Sequence, residues 1–500
     1  MPYSDESSSI STARKSTDTD TGTSVNTVSS PSSAQSLRSR GSRPLLQPNQ
    51  SPLHPSRPVS FITPVHEGLN WPRKPSFRDR VSLFFLQLLS VPISSVFLLI
   101  VVSWALLADL SRRLPKWLQP VEPASFPWDD RKKWENEKCV KDVRYYARAV
   151  GMDIVDEEVE TDDGYYLRVH RVVNPKHKHN PDGKGGYPVL VLHGLFQSSG
   201  AFITSEERSL AFWLSEHGGY QIFLGNTRGV FQMGHREYGR SDPRFWDWTI
   251  RELAMYDLPA LVEHVCSVTG YSKIAYIGHS QGNGIGFLML SAGMRPDVGS
   301  KLSCFIALAP AVFAGPLTRG FPFSSLSQIE WKEWRVLFGV LDFIPLMRHA
   351  YDWCPPKLFA AVGYAMFSFL FSWTDVNWLR RRKIKIFRFT PTPVSSSSIF
   401  WWCGAGGFAQ RKCIMDIAVT RWFDENFPPL AIYHGGCDLL VATEPLLSRI
   451  DTQEPHVKVI RVERLEKSEH CDFYLAAESV EWCFQSFIED IEMTRIDKDI

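Results

Sequence analysis

Short apolar runs alternate with segments of helical spacing between residues 118 and 315, and again between 428 and 495. Gly164–Val172 (GYYLRVHRV) alternates apolar and polar residues, as a half-buried strand does. Tyr187–Gly194 (YPVLVLHG) is a continuous apolar run that stops at glycine, the pattern of a strand covered on both faces. Tyr220–Gly229 predicts a third strand followed by a Gly-rich loop, and Met255–Gly270 has the spacing of a helix ending at glycine. Lys273–Gly278 and Leu302–Val312 read as two further strands. Ala431–Val441 and Val457–Leu465 resume the pattern, and Ala477–Ile491 reads as a closing helix. Strands alternating with helices predict an α/β fold with a parallel sheet and crossover helices.

Three stretches depart from that pattern. Residues 1–75 are dense in Ser, Thr and Pro, a composition that predicts a disordered tail. Val81–Leu110 carries no charge before Asp109 and reads as membrane-embedded. Pro92 leaves two geometries, one kinked span or a re-entrant hairpin. Arg73, Lys74, Arg78 and Arg80 precede the run, and Arg112, Arg113 and Lys116 follow it. Basic flanks favour the cytosolic side, so a hairpin satisfies both and suits a lipid-droplet monolayer, whereas a span sends one flank across.

The third departure, residues 316–427, predicts a helical cap inserted over the C-terminal ends of the strands. It contains an uncharged stretch, Leu358–Trp373, shorter than a span and expected to be buried or interfacial. Arg380, Arg381, Arg382, Lys383, Lys385 and Arg388 follow it, and the four serines 395–398 read as a linker. An apolar helix beside a basic stripe is expected on a phospholipid surface, the plainer alternative being a solvated charged loop.

Composition narrows the function classes. The net charge of +1 argues against nucleic-acid binding as the main role. Aromatic residues at 13% suit broad apolar contact with lipid. Nine cysteines without paired C-x-x-C spacing argue against a metal site and against a dense disulfide framework. No glycosylation acceptor follows Asn49, which favours a cytosolic face for the α/β part.

Candidate chemistry centres on Gly278-His279-Ser280-Gln281-Gly282, a G-x-S-x-G between an apolar strand and a glycine-rich helix start. That context is the one a nucleophile elbow requires. A serine nucleophile needs a base, and the base an orienting acid, in the chain order Ser, Asp or Glu, His. Asp438, after the strand AIYHGG, and His470, after the last strand, meet that order. Asp451 and Asp472 are rival acids without an apolar strand before them, and His434 lies inside a strand. The backbone amides of Gln281 and Leu195 are the candidate oxyanion donors. His193 and His279 read as structural, and Arg228 is expected to pair with Asp257 at the sheet edge.

In chain order, DIVDEEVETDDGYYLRVHRV, VLVLHGLFQSSGAF, FLGNTRG, ELAMYDLPALVEHV, YIGHSQGNGIGFLMLSAG, and HGGCDLLV with EHCDFYLA resemble the acid lipase family over roughly Asp142–Ile491. That family includes gastric and lysosomal acid lipases and membrane-anchored fungal steryl ester hydrolases. The resemblance implies an α/β-hydrolase with a helical cap, acting on lipid esters without metal or organic cofactor, and the roles just given for Ser280, Asp438, His470, Leu195 and Gln281. Three features depart from the secreted members: a membrane segment replaces a cleavable signal, Gly282-Asn283-Gly284 replaces a Thr-rich continuation, and the cap is aromatic and basic. The first resembles the fungal anchored enzymes. The expected function is a membrane-anchored steryl ester hydrolase at the endoplasmic reticulum or lipid droplet, with its catalytic part in the cytosol. A triacylglycerol lipase is the near rival, and a non-catalytic lipid-binding scaffold the distant one.

Overall fold

The apolar runs become one eight-stranded sheet in the computed structural model, which describes residues 74–118, 126–177, 186–410, 412–415 and 419–496. The Ser/Thr/Pro-rich stretch, Arg73 included, lies outside the described residues except for its last two positions. The strands are β1 (Asp153–Glu160), β2 (Tyr166–Val173), β3 (Pro188–Leu192), β4 (Gln221–Gly225), β5 (Ile274–His279), β6 (Leu302–Leu308), β7 (Leu430–Gly435) and β8 (Val459–Leu465). They pair in the order 1-2-4-3-5-6-7-8. β3, β5 and β6 are buried along their whole length, which explains their unbroken apolar sequence.

The sheet is mixed, not wholly parallel as the alternation predicts. β4 to β8 run parallel, while β1–β2 and β2–β4 are antiparallel. A tight turn joins β1 to β2, and a hairpin needs no crossover helix. β1 has little apolar signal because only Ile154 and Val159 are buried; its acidic side chains face outward from an edge strand. Arg228, just after β4, braces this edge. Its Nε donates to Asp257 Oδ1 at 2.9 Å, its Nη1 donates to Asp163 Oδ2 at 2.7 Å in the β1–β2 turn, and its guanidinium stacks 3.9 Å from the Tyr165 ring. The expected pair with Asp257 is thus part of a larger clamp.

Between β6 and β7 the chain forms the helices Trp331–Phe338, Pro345–Trp353, Pro356–Phe371 and Ser396–Cys403. Their aromatics form a core of their own, with Trp334 against Phe338, Phe343 and Phe400. Two expectations fail here. The serines 395–398 are no linker: Ser395 caps the helix Ser396–Cys403 through Ser398 N, and all four are buried. The basic run does not form a stripe for a phospholipid surface. Arg382 and Lys385 are 2% exposed, and together with Arg381 they converge on Glu206. Lys383 pairs with Asp375. Burial of Arg382 and Lys385 beside the half-buried Arg381 requires compensation, and the carboxylates of Glu206, Asp129 and Glu137 provide it.

The apolar stretch near the N-terminus is one helix, α1 (Phe77–Leu118), longer than the 81–110 expected and without the hairpin alternative. Its residues 77–111 are long and apolar enough to cross a membrane. One face packs on Trp331–Phe338 and Pro356–Phe371: Val101 and Ala105 are buried, and the Phe97 and Phe338 rings meet edge to face at 5.2 Å. The opposite face, including Phe84, Phe85, Leu88, Leu99 and Leu107, is exposed.

Candidate active site

Ser280 sits at the sharp turn between β5 and the helix Gln281–Met289, with φ 52° and ψ −113°. An L-residue in that region is strained, and the turn is fixed by its surroundings. A Cβ on Gly282 would lie 2.6 Å from the Leu192 carbonyl oxygen, so only glycine lets the helix start this close to β3. The turn presents Ser280 Oγ to His470 Nε2 at 2.7 Å, and His470 Nδ1 lies 2.8 Å from Asp438 Oδ2. The three residues the sequence singles out therefore form one hydrogen-bonded chain. The other oxygen of Asp438 accepts from Leu440 N at 2.8 Å and Val441 N at 3.3 Å, which fixes the carboxylate plane.

The loop carrying His470 is held by close backbone approach. Gly436 N donates to Leu465 O at 2.8 Å and Cys437 N to Ser468 O at 3.0 Å. A side chain at Gly435 would collide with the Ser468 carbonyl. His279 completes the support, since its Nε2 donates to the His470 carbonyl at 2.9 Å and its Nδ1 accepts from Tyr474 OH at 3.1 Å. Burial holds the His279 ring well below its usual pKa, hence neutral. His193 is likewise pushed down to about 4 by burial, and its Nδ1 is 2.8 Å from the Gly194 carbonyl. Both histidines have the structural surroundings expected of them.

Leu195 and Gln281 line the same cavity as Ser280 and His470, and neither backbone amide has a protein acceptor among the described residues. The Gln281 side chain is held by Trp402 Nε1 at 2.9 Å. The rest of the cavity is mostly apolar, with Phe323, Phe371 and Trp373 of the β6–β7 segment and Leu440 and Val441 after β7 among its lining, beside the polar Gln197 and Thr318. Two amides without partners, beside a hydroxyl bonded to an imidazole, can receive the oxygen of an attacked carbonyl in a mostly apolar site.

The rival acids stand elsewhere. Asp451 is exposed in the helix Glu444–Gln453, and His434 lies in β7 away from the cavity. Asp472 is buried and accepts from Asn377 Nδ2, Trp378 Nε1 and Glu469 N. Sequence reasoning missed Gln197, Trp373, Glu469 and Tyr474. Gln197 Nε2 donates to Tyr474 OH at 2.9 Å, and Trp373 lies face to face with the His470 ring at 6.0 Å. No local motif marks them, because each acts across a long sequence separation.

The α/β hydrolase fold family matches residues 187–476, and the partial alpha/beta-hydrolase lipase region matches residues 143–206. Sterol esterase 2 of Saccharomyces cerevisiae is 31% identical over 399 residues, covering 71% of this chain and 73% of that protein. The chain belongs to the acid lipase family. Lipase member K of Homo sapiens is 29% identical to this lipase over 363 residues, 68% of this chain and 87% of the human protein. Gastric triacylglycerol lipase of Rattus norvegicus is 37% identical over 198 residues, 39% of this chain and 48% of the rat protein. The lipase is accordingly a carboxylic ester hydrolase on an α/β-hydrolase scaffold.

Proposed function

We propose that this lipase is anchored by α1 in a membrane and hydrolyses steryl esters to sterol and free fatty acid. Ser280 is the nucleophile, His470 the general base and Asp438 the residue that orients it. His470 Nε2 takes the Ser280 proton as Oγ attacks the ester carbonyl. The negative oxygen is met by the amides of Leu195 and Gln281. His470 then returns the proton to the departing sterol oxygen, leaving an acyl-enzyme that water hydrolyses by the same steps.

The chain Ser280–His470–Asp438 at 2.7 and 2.8 Å, opening on an apolar cavity, carries the chemical reading. Similarity to a sterol esterase over 71% of the chain favours a sterol as the leaving alcohol. Similarity to a gastric triacylglycerol lipase keeps triacylglycerol as the second reading. The exposed apolar face of α1 supports anchoring, and Lys74, Arg78 and Arg80 before its apolar stretch support a cytosolic N-terminus, with the endoplasmic reticulum as the membrane.

Initial rates of the full-length protein on cholesteryl oleate and triolein test the reading. The steryl ester is expected to have the higher kcat/KM, and Ser280→Ala to lose about 10⁴-fold or more on both while remaining folded. Preference for triolein would favour the second reading. Wild-type turnover by Ser280→Ala would refute Ser280 as the nucleophile, and no turnover of either ester by the wild-type protein would leave the non-catalytic scaffold for this fold.

A further inference from the structure

A second cavity adjoins the one that holds Ser280. Its lining is apolar throughout, and α1 supplies one wall through Phe97, Leu98 and Val101. The two cavities share Leu195, Phe323, Phe371 and Cys403. A void of about 100 Å³ has room for more than one water molecule, and protein interiors hold few such voids, so the chamber points to an occupant. Met347 and Met366, also in its lining, are side chains that adapt to flexible apolar guests.

We propose that this chamber holds the fatty acyl chain of the substrate, so that the membrane helix is part of the acyl-binding site as well as an anchor. The inference rests on the serine-hydrolase reading above. The direction of the reaction decides which half of the ester enters. The attacked carbonyl is fixed between Ser280 Oγ and the amides of Leu195 and Gln281. The alcohol oxygen must lie beside His470 Nε2, because that nitrogen returns the proton as the alcohol leaves. His470 and Trp373 line the first cavity and not the second. The second chamber is reached past Leu195, Phe323, Phe371 and Cys403, so the oxyanion candidate Leu195 borders it while His470 does not. It therefore receives the substituent that remains on Ser280 after the alcohol has gone, which is the acyl chain. Each methylene buried there raises kcat/KM about fourfold until the chamber is full.

The full-length lipase in detergent micelles is treated with a hexadecyl fluorophosphonate that carries a diazirine at the end of its chain. Phosphonylation of Ser280 fixes the chain where an acyl group would lie, and irradiation then marks its neighbours. Cross-links to the α1 peptide containing Phe97–Val101, or to Phe343, Met347 or Met366 across the chamber, are expected. A Ser280 adduct whose cross-links fall only outside the chamber overturns the inference and leaves the serine reading standing. Absence of a Ser280 adduct overturns the serine reading, and this inference with it. Independently, Val101→Trp is expected to lower the ratio of kcat/KM for p-nitrophenyl palmitate over butyrate at least tenfold. An unchanged ratio in the folded variant overturns the assignment; should that variant not fold, the cross-linking result decides.

Discussion

Replacing Glu206 by Gln removes one negative charge from a buried cluster and keeps its shape. Glu206 is 4% exposed and accepts from Arg382 Nε at 2.7 Å, from Arg381 Nη1 and from Lys385 Nζ. Arg381 also pairs with Asp129, and Lys385 with Glu137. Three cations thus face three carboxylates. Burial alone would raise the Glu206 pKa, but the charges of Arg382, Lys385 and Arg381 outweigh it and hold the group below the ordinary range. At 2.7 Å, one such pair attracts by about 6 kcal/mol with an effective dielectric near 20, and desolvation cancels part of that. Loss of one partner leaves a buried positive charge, for which the net cost is about 3–5 kcal/mol. The damage is local, because the cluster ties residues 381–385 to the loop at Glu206. Amide exchange across 380–388 in the Glu206→Gln variant is expected to speed up about 10²- to 10³-fold, while β3, β5 and β6 stay protected. Adding Arg382→Met restores neutrality, and the double variant is expected to recover all but about 1–2 kcal/mol of urea stability. A Glu206→Gln variant within about 0.5 kcal/mol of wild type, or strict additivity in the double variant, would refute the charge-balance argument.

Two further predictions concern the site. Gly282→Ala forces a Cβ to within 2.6 Å of the Leu192 carbonyl, a backbone-on-backbone clash with no flexible partner to yield. It is expected to cost about 1–3 kcal/mol in thermal unfolding, and to lower kcat about 10²-fold by shifting the Gln281 amide. Equal kcat in the variant would contradict that role for the amide. Glu469, ordinarily 4.5, is pushed up to about 7 by burial, against the opposing bonds from Thr374 N and Oγ1. Between those values the folded state holds a proton that the unfolded chain has lost, so stability falls as pH rises through that window. Glu469→Gln removes the slope: the variant is expected to gain about 1–3 kcal/mol over wild type at pH 8 and nothing at pH 4. Denaturation midpoints at the two pH values measure this, and a gain at pH 4 alone would reverse the sign and refute it.

The three residues that the structure joins by hydrogen bonds, and that are proposed as the triad, were legible because each sits where strand and order rules act locally. Ser280 follows an apolar strand and precedes a glycine-rich helix, while Asp438 and His470 follow later strands. β1 was illegible as a strand because its exposed charges hide two buried positions. The cationic run misled for a different reason. Its partners Glu206, Asp129 and Glu137 lie some 175 residues or more away in sequence, so an isolated run of charge looks solvated or membrane-bound when it is in fact neutralised inside. α1 was legible as an apolar helix. Its docking face was not, since a helix apolar all round has no periodicity to say which side meets protein.

Asp472, rejected as the acid of the site, has another effect. It flanks His470 together with Glu469, and both bond the segment between β6 and β7, through Asn377, Trp378 and Thr374. Ala477 N adds a bond to the Asn377 carbonyl at 2.7 Å. The covering segment and the base are therefore geared together. In the proposed mechanism, any shift of that segment is transmitted to the imidazole that meets Ser280, so access and reactivity are coupled. Like the interlock on a machine guard, the arrangement lets the blade run only with the guard in place.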